Sequence, residues 1–111
     1  MEELLKLIQD KLAEKKAEDI SVIDISDLSV MADYFVIASG NNANQIHAMA
    51  DFLEEELAKE GIKPKHIEGY NTANWILLDY SDIIIHIFDK ESRSFYDLDR
   101  IWKGANILAL D

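Results

Sequence analysis

The stretch Asn74-Trp-Ile-Leu-Leu-Asp-Tyr-Ser-Asp-Ile-Ile-Ile-His-Ile-Phe88 constrains this chain more than any other. Two runs of β-branched, aliphatic and aromatic residues flank a short polar break at Tyr80-Ser81, the pattern of a β-hairpin with a two-residue turn. Neither turn residue is Gly or Asn, the types that usually fix such a turn. With Tyr80-Ser81 as the loop, Asp79 faces Asp82, Leu78 faces Ile83, Leu77 faces Ile84, Ile76 faces Ile85 and Trp75 faces His86. Strand side chains alternate between faces. One face therefore carries Ile76, Leu78, Ile83, Ile85 and Ile87, and must be buried under helices. The other carries Trp75, Leu77, Asp79, Asp82, Ile84, His86 and Phe88. Like charges set opposite each other are destabilising unless something offsets them. A face that mixes apolar anchors with paired carboxylates reads as a surface for a cationic partner.

The rest of the chain supplies a sheet and its cover. Leu4, Leu5, Ile8 and Leu12 recur at helical spacing and predict a helix from about Glu2 to Glu18. Ile20 to Ile25 is a short strand, broken by Ser26 to Ser29. Asp33 to Ser39 is a second strand, with Phe35 and Ile37 on one side and Tyr34 and Val36 on the other. A run apolar on both sides belongs inside a sheet. Asn41 or Asn42 caps the next helix, with Gln45 placed as in a capping box. That helix runs to about Glu60 and buries Ile46, Met49, Ala50, Leu53 and Leu57; Gly61 ends it and Pro64 prevents restart. Lys65 to Glu68 is an edge strand. Ser92 or Ser94 caps a last helix whose stripe of Phe95, Leu98, Ile101 and Trp102 is expected to pack on the core, with a short apolar tail from Ala105 to Asp111. Directly joined strands and helix-joined strands together give an α/β fold: one domain over residues 1–111, with a mixed sheet of about five strands flanked by helices.

Composition excludes several classes. The chain has 22 acidic and 11 basic residues, a net charge of −11. Nucleic-acid affinity rests on Lys and Arg neutralising phosphates, so direct binding of RNA, DNA or an anionic membrane is not expected. Basic proteins, metal ions or cationic ligands suit such a charge, although acidity serves plain solubility equally well. There is no cysteine, hence no disulfide scaffold and no thiolate chemistry. No signal peptide is read at the N-terminus, and no apolar run approaches the ~20 residues that span a bilayer, so a cytoplasmic protein is expected.

Enzymatic readings find little support. Gly40 opens a helix after a strand, but neither G-x-G-x-x-G nor a Gly-Lys-Ser/Thr loop is present. Asp79 and Asp82 could share a magnesium ion only with further oxygen ligands, for which Asn74 and Asp89 are the nearest candidates. His47, His66 and His86 lack the spaced partners of a zinc site. His86 is either a packed neutral ring or a polar contact for a partner, and the carboxylates on its face favour the second. Tyr80 at the turn and Trp75 on the mixed face are the aromatic anchors of a binding surface, since Trp and Tyr are enriched at interface hot spots.

One family unites these features. Asp33 to Gly40, Gln45, Glu68-Gly69, Trp75, Leu78 to Asp82, His86-Ile-Phe88, Arg93, Phe95-Tyr96, Leu98 and Trp102, in this order, resemble the Iojap family, whose bacterial members are called ribosomal silencing factor S. The resemblance covers nearly the whole chain. It implies a fold similar to the nucleotidyltransferase core without enzymatic activity or cofactor. It implies binding to a basic protein of the large ribosomal subunit, the universal one numbered fourteen, and steric block of subunit joining when nutrients are scarce. It further implies that free members are often homodimers. The nucleotidyltransferase carboxylate pair is missing: the turn is Gly40-Asn41, and Asp97-Leu-Asp99 falls in a predicted helix. The alternative reading is a metal-dependent nucleotidyl or phosphoryl transferase on the same fold. The expected partner-binding residues are Glu68, Trp75, Leu77, Asp79, Tyr80, Asp82, Ile84 and His86.

Overall fold

The computed structural model describes residues 1–101 and 106–110. Four helices and six strands follow in the order α1 (Glu2–Glu14), β1 (Glu18–Asp24), β2 (Tyr34–Gly40), α2 (Ala43–Lys59), β3 (His66–Glu68), β4 (Trp75–Asp79), β5 (Ile83–Asp89), α3 (Lys90–Tyr96), α4 (Leu98–Ile101) and β6 (Asn106–Leu108). They form one mixed six-stranded sheet in the order β3-β4-β5-β2-β1-β6. The central pair β2/β5 is parallel, and the other neighbours are antiparallel.

β2 is the inner strand that its two-sided apolar run predicts. Val36 and Ala38 enter a cluster under α1 and α2, while Phe35 and Ile37 enter a second cluster on the opposite face. The helices match their stripes. Leu5, Ile8 and Leu12 of α1 and Ile46, Met49, Ala50, Leu53 and Leu57 of α2 are buried. Asn42 caps α2 by accepting from the Gln45 N–H at 2.8 Å. The Gln45 side chain returns to the Asn41 N–H at 2.7 Å and donates to the carbonyls of Lys15 and Lys16, tying the end of α1 to the start of α2. α1 stops at Glu14, four residues short of the expected end, because Lys16 turns left-handed at φ 63°.

Three expectations are corrected. The hairpin loop is Ser81-Asp82: Tyr80 N–H donates to the Ile83 carbonyl at 2.9 Å, and Ser81 takes φ 71°. The pairs are therefore Trp75–Phe88, Ile76–Ile87, Leu77–His86, Leu78–Ile85 and Asp79–Ile84. Asp79 and Asp82 are not opposed. The shift is two residues, so every side chain keeps its face. Ile76, Leu78, Ile83, Ile85 and Ile87 are all buried under the helices, as the pattern requires.

The last helix is broken in two. Asp89, not a serine, caps α3 by accepting from the Ser92 N–H at 2.7 Å. Asp97 adopts a left-handed conformation between α3 and α4 (φ 50°). Asp tolerates that conformation because its short side chain bonds locally. The break splits the expected stripe: Leu98 packs on the second cluster, while Phe95 is 79% exposed. Trp102 lies outside the described residues. Finally, part of the expected C-terminal tail is a strand. β6 pairs with β1, Leu108 and Leu110 pack on the helix-side cluster, and Gln9 donates to the Leu110 carbonyl at 3.1 Å.

Gly69 sets the entry to the hairpin. It takes φ 75°, and a Cβ there would stand 2.1 Å from the Trp75 carbonyl oxygen. Gly61 also has positive φ (77°), but a Cβ there would meet open space. Gly61→Ala is expected to cost about 1 kcal/mol from backbone strain alone. Gly69→Ala is expected to cost more than about 3 kcal/mol, since backbone atoms must also move. Urea unfolding of the two variants measures the difference.

Candidate functional site: the open face of the hairpin

α1 and α2 cover one face of the sheet. The other face is covered only in part, by the β1–β2 connection and by the short α3, which lies against β5 and β2. Trp75, Leu77 and Ile84 stand on this second face and are half-buried. Beside them a shallow depression of about 270 Å³ is lined by Glu68, Gly69, Trp75 and Leu77. Glu68 pairs with Leu77 across β3 and β4, which sets its carboxylate at the rim.

Trp75 is held by aromatic contacts. Its ring lies 5.0 Å from Phe88 and 4.6 Å from Tyr96, centroid to centroid. Its indole N–H donates to Nδ1 of His86 at 2.9 Å. Phe95 then packs edge-on against Tyr96 at 5.1 Å and continues the aromatic strip outward. Arg93 fastens α3 in place. Its guanidinium donates to Ser39 Oγ at 3.0 Å and to the Asp19 carbonyl, and it grips both carboxylate oxygens of Asp99 at 3.1 and 3.3 Å. A bidentate fork of this kind fixes orientation as well as charge. Asp97 and Asp99 are thus a helix-end residue and an ion-pair partner, not two carboxylates side by side on one strand.

The structure brings Glu68, Trp75, Leu77 and Ile84 together on the open face. Asp79 shares that face, but its carboxylate is engaged: Oδ1 accepts the Ser81 N–H at 2.8 Å, and Oδ2 lies 3.6 Å from His66 Nε2. His66 also lies 3.1 Å from Glu68, so the β3 edge carries a polar rim of Glu68, His66 and Asp79. Asp82 is exposed in the turn. Two residues fall elsewhere. Tyr80 shares the parity of Ile76 and Leu78 and packs on the helix side, where burial, and secondarily the charge of Glu54, push its hydroxyl up to about 12. His86 is only 3% exposed and sits behind Trp75 rather than at the surface. It packs edge-on against Phe35 at 4.5 Å. Burial lowers its pKa to about 4, so it is neutral at pH 7. Accepting at Nδ1 places the proton on Nε2.

Phe95 and His66 were not foreseen as parts of this surface. The signal for Phe95 was Asp97, whose tolerance of a left-handed turn ends the helix before its stripe can be buried. Among the described residues, no group of three His, Cys, Asp or Glu side chains is arranged to hold a metal ion, and no helix is long and apolar enough to cross a membrane.

A family model described as "Ribosomal silencing factor during starvation" (RsfS) matches residues 1–111. The chain belongs to the RsfS family. It is 37% identical over 108 residues to the Bacillus subtilis "Ribosomal silencing factor RsfS", covering 97% of this chain and 92% of that one. It is 46% identical over 101 residues to the Zymomonas mobilis protein of the same name, covering 91% and 76%. A crystal structure from Bacillus halodurans superposes with a TM-score of 0.87 at 34% identity, over 99% of this chain and 100% of that one. The family that the sequence resembles and the family whose model matches are therefore the same, and the chain shares its fold with this solved structure.

The neutral, buried His86 links stability to pH. Its pKa is about 4 when folded and 6.5 when exposed, so below pH 6.5 the unfolded chain binds a proton that the folded chain refuses. Stability falls as pH drops through this window, by up to ~1.4 kcal/mol per unit. Between pH 7 and pH 5 this one group is expected to remove about 2 kcal/mol. Urea unfolding at the two pH values should show that loss, and His86→Asn, which cannot be protonated, should lack it.

Proposed function

We propose that this RsfS chain seats its open hairpin face on a basic protein of the large ribosomal subunit, the universal protein numbered fourteen, and so blocks joining of the small subunit. The observation that carries the reading is Trp75. It is an aromatic anchor left half-buried beside a depression, on the one sheet face that the helices do not close. Leu77 and Ile84 add apolar contact, and Tyr96 and Phe95 extend it. Glu68 and the exposed Asp82 face Lys or Arg of the partner, with His66 and Asp79 completing the rim.

Charge directs the encounter. A chain of net charge −11 is drawn to a basic protein and repelled by the surrounding ribosomal RNA. That repulsion confines docking to a protein patch. The block needs no reaction, only occupancy of a surface that the small subunit must reach. Family membership supports the ribosome as the target, and the aromatic, acid-rimmed face supports a protein rather than a nucleic acid as the contact.

A sucrose-gradient assay of subunit joining is the direct test: adding the protein should leave free subunits where joined ribosomes form without it. Trp75→Ala should weaken co-sedimentation with large subunits by about 2 kcal/mol, roughly thirtyfold in Kd. Unchanged binding would remove Trp75 from the contact.

A further inference from the structure

We infer that His86 is a positioning residue for the partner surface: by accepting the Trp75 indole N–H, it fixes the orientation in which the indole meets its partner. The inference rests on the reading above, in which Trp75 is the central anchor.

The ring contacts of Trp75 cannot set its orientation by themselves. Phe88 and Tyr96 offer apolar surfaces at 5.0 and 4.6 Å, and an indole can lie on either in more than one rotamer. The hydrogen bond is directional. Indole nitrogen is only a donor, and His86 Nδ1 receives it at 2.9 Å. The bond exists because of the hairpin register. Phe88 stands directly opposite Trp75, and Leu77 stands opposite His86, so His86 is the diagonal neighbour two residues along on the same face. A long aromatic side chain spans such a diagonal. His86 is itself held still, buried and wedged between Phe35 at 4.5 Å and Phe88 at 6.1 Å. Its neutral state supplies the acceptor. The indole N–H is thereby turned into the protein, leaving no polar donor of Trp75 for the partner to satisfy. A side chain ordered before binding loses less freedom on binding.

The test compares His86→Leu, which fills space without an acceptor, with His86→Asn, whose amide oxygen can take the place of Nδ1. One readout is the indole N–H signal of Trp75 in a ¹⁵N-tryptophan spectrum, assigned by its loss in Trp75→Phe. The other is the Kd for purified large subunits by co-sedimentation. In the unaltered protein the Trp75 indole N–H should exchange slowly with solvent. Exchange at the rate of free tryptophan would overturn the inference without any histidine variant. His86→Leu should release that signal and weaken binding about tenfold, a loss of the size expected for freeing one anchor side chain. His86→Asn should restore both slow exchange and affinity to within about threefold. A purely space-filling histidine would give the opposite ranking, with Leu the better substitute. A released indole with unchanged affinity would also overturn the inference. If Trp75→Ala binds normally, the docking reading fails, and the exchange measurement still reports whether His86 holds the ring.

Discussion

The parallel pairing of β2 with β5 is the contact on which the remainder depends. It joins the hairpin of β4 and β5 to the β1–β2 half of the sheet, from Tyr34 beside Ile83 to Gly40 beside Asp89. β2 also feeds both hydrophobic clusters, Val36 and Ala38 toward the helices and Phe35 and Ile37 away from them. A slip of one residue would exchange these sets. Phe35 would leave the side of His86, and the support behind Trp75 would go with it. The surface that meets the outside is therefore fixed by a register deep in the sheet.

Much of this was legible in the chain itself. Helix stripes depend on local spacing, and the Leu5-Ile8-Leu12 and Ile46-to-Leu57 patterns mark their buried sides correctly. The two faces of the hairpin were also legible, because parity survives a shift of two. The neighbours across the hairpin were not. A turn at Ser81-Asp82 with Ser81 left-handed carries no Gly or Asn to announce it. The same reason hid the break at Asp97, and with it the exposure of Phe95. β6 is three residues long and exists only because β1 offers an edge.

His86 and Tyr80 show a different limit. Each has a polar tip that reads as a surface group in a linear sequence, yet each is withdrawn by tertiary packing that no local pattern records. Tyr80 lies on the helix side, and its hydroxyl has no hydrogen-bond partner among the described residues. His86 lies on the other side and gives its acceptor to an indole. The polar atoms of the two residues thus end in opposite layers, although both belong to one tight ribbon. The hairpin residues of this face that remain half-covered are Trp75, Leu77, Asp79 and Ile84.

Alternation along β4 has a consequence for how such a chain can diversify. Positions 76 and 78 are spoken for by the helix layer, whereas 75 and 77 look outward on the face that the β1–β2 connection and α3 cover only in part. Two interleaved alphabets are written along one strand, the first read by the molecule's own interior and the second by whatever it touches. The outward letters could be rewritten for a different neighbour while the inward ones go on specifying the same architecture.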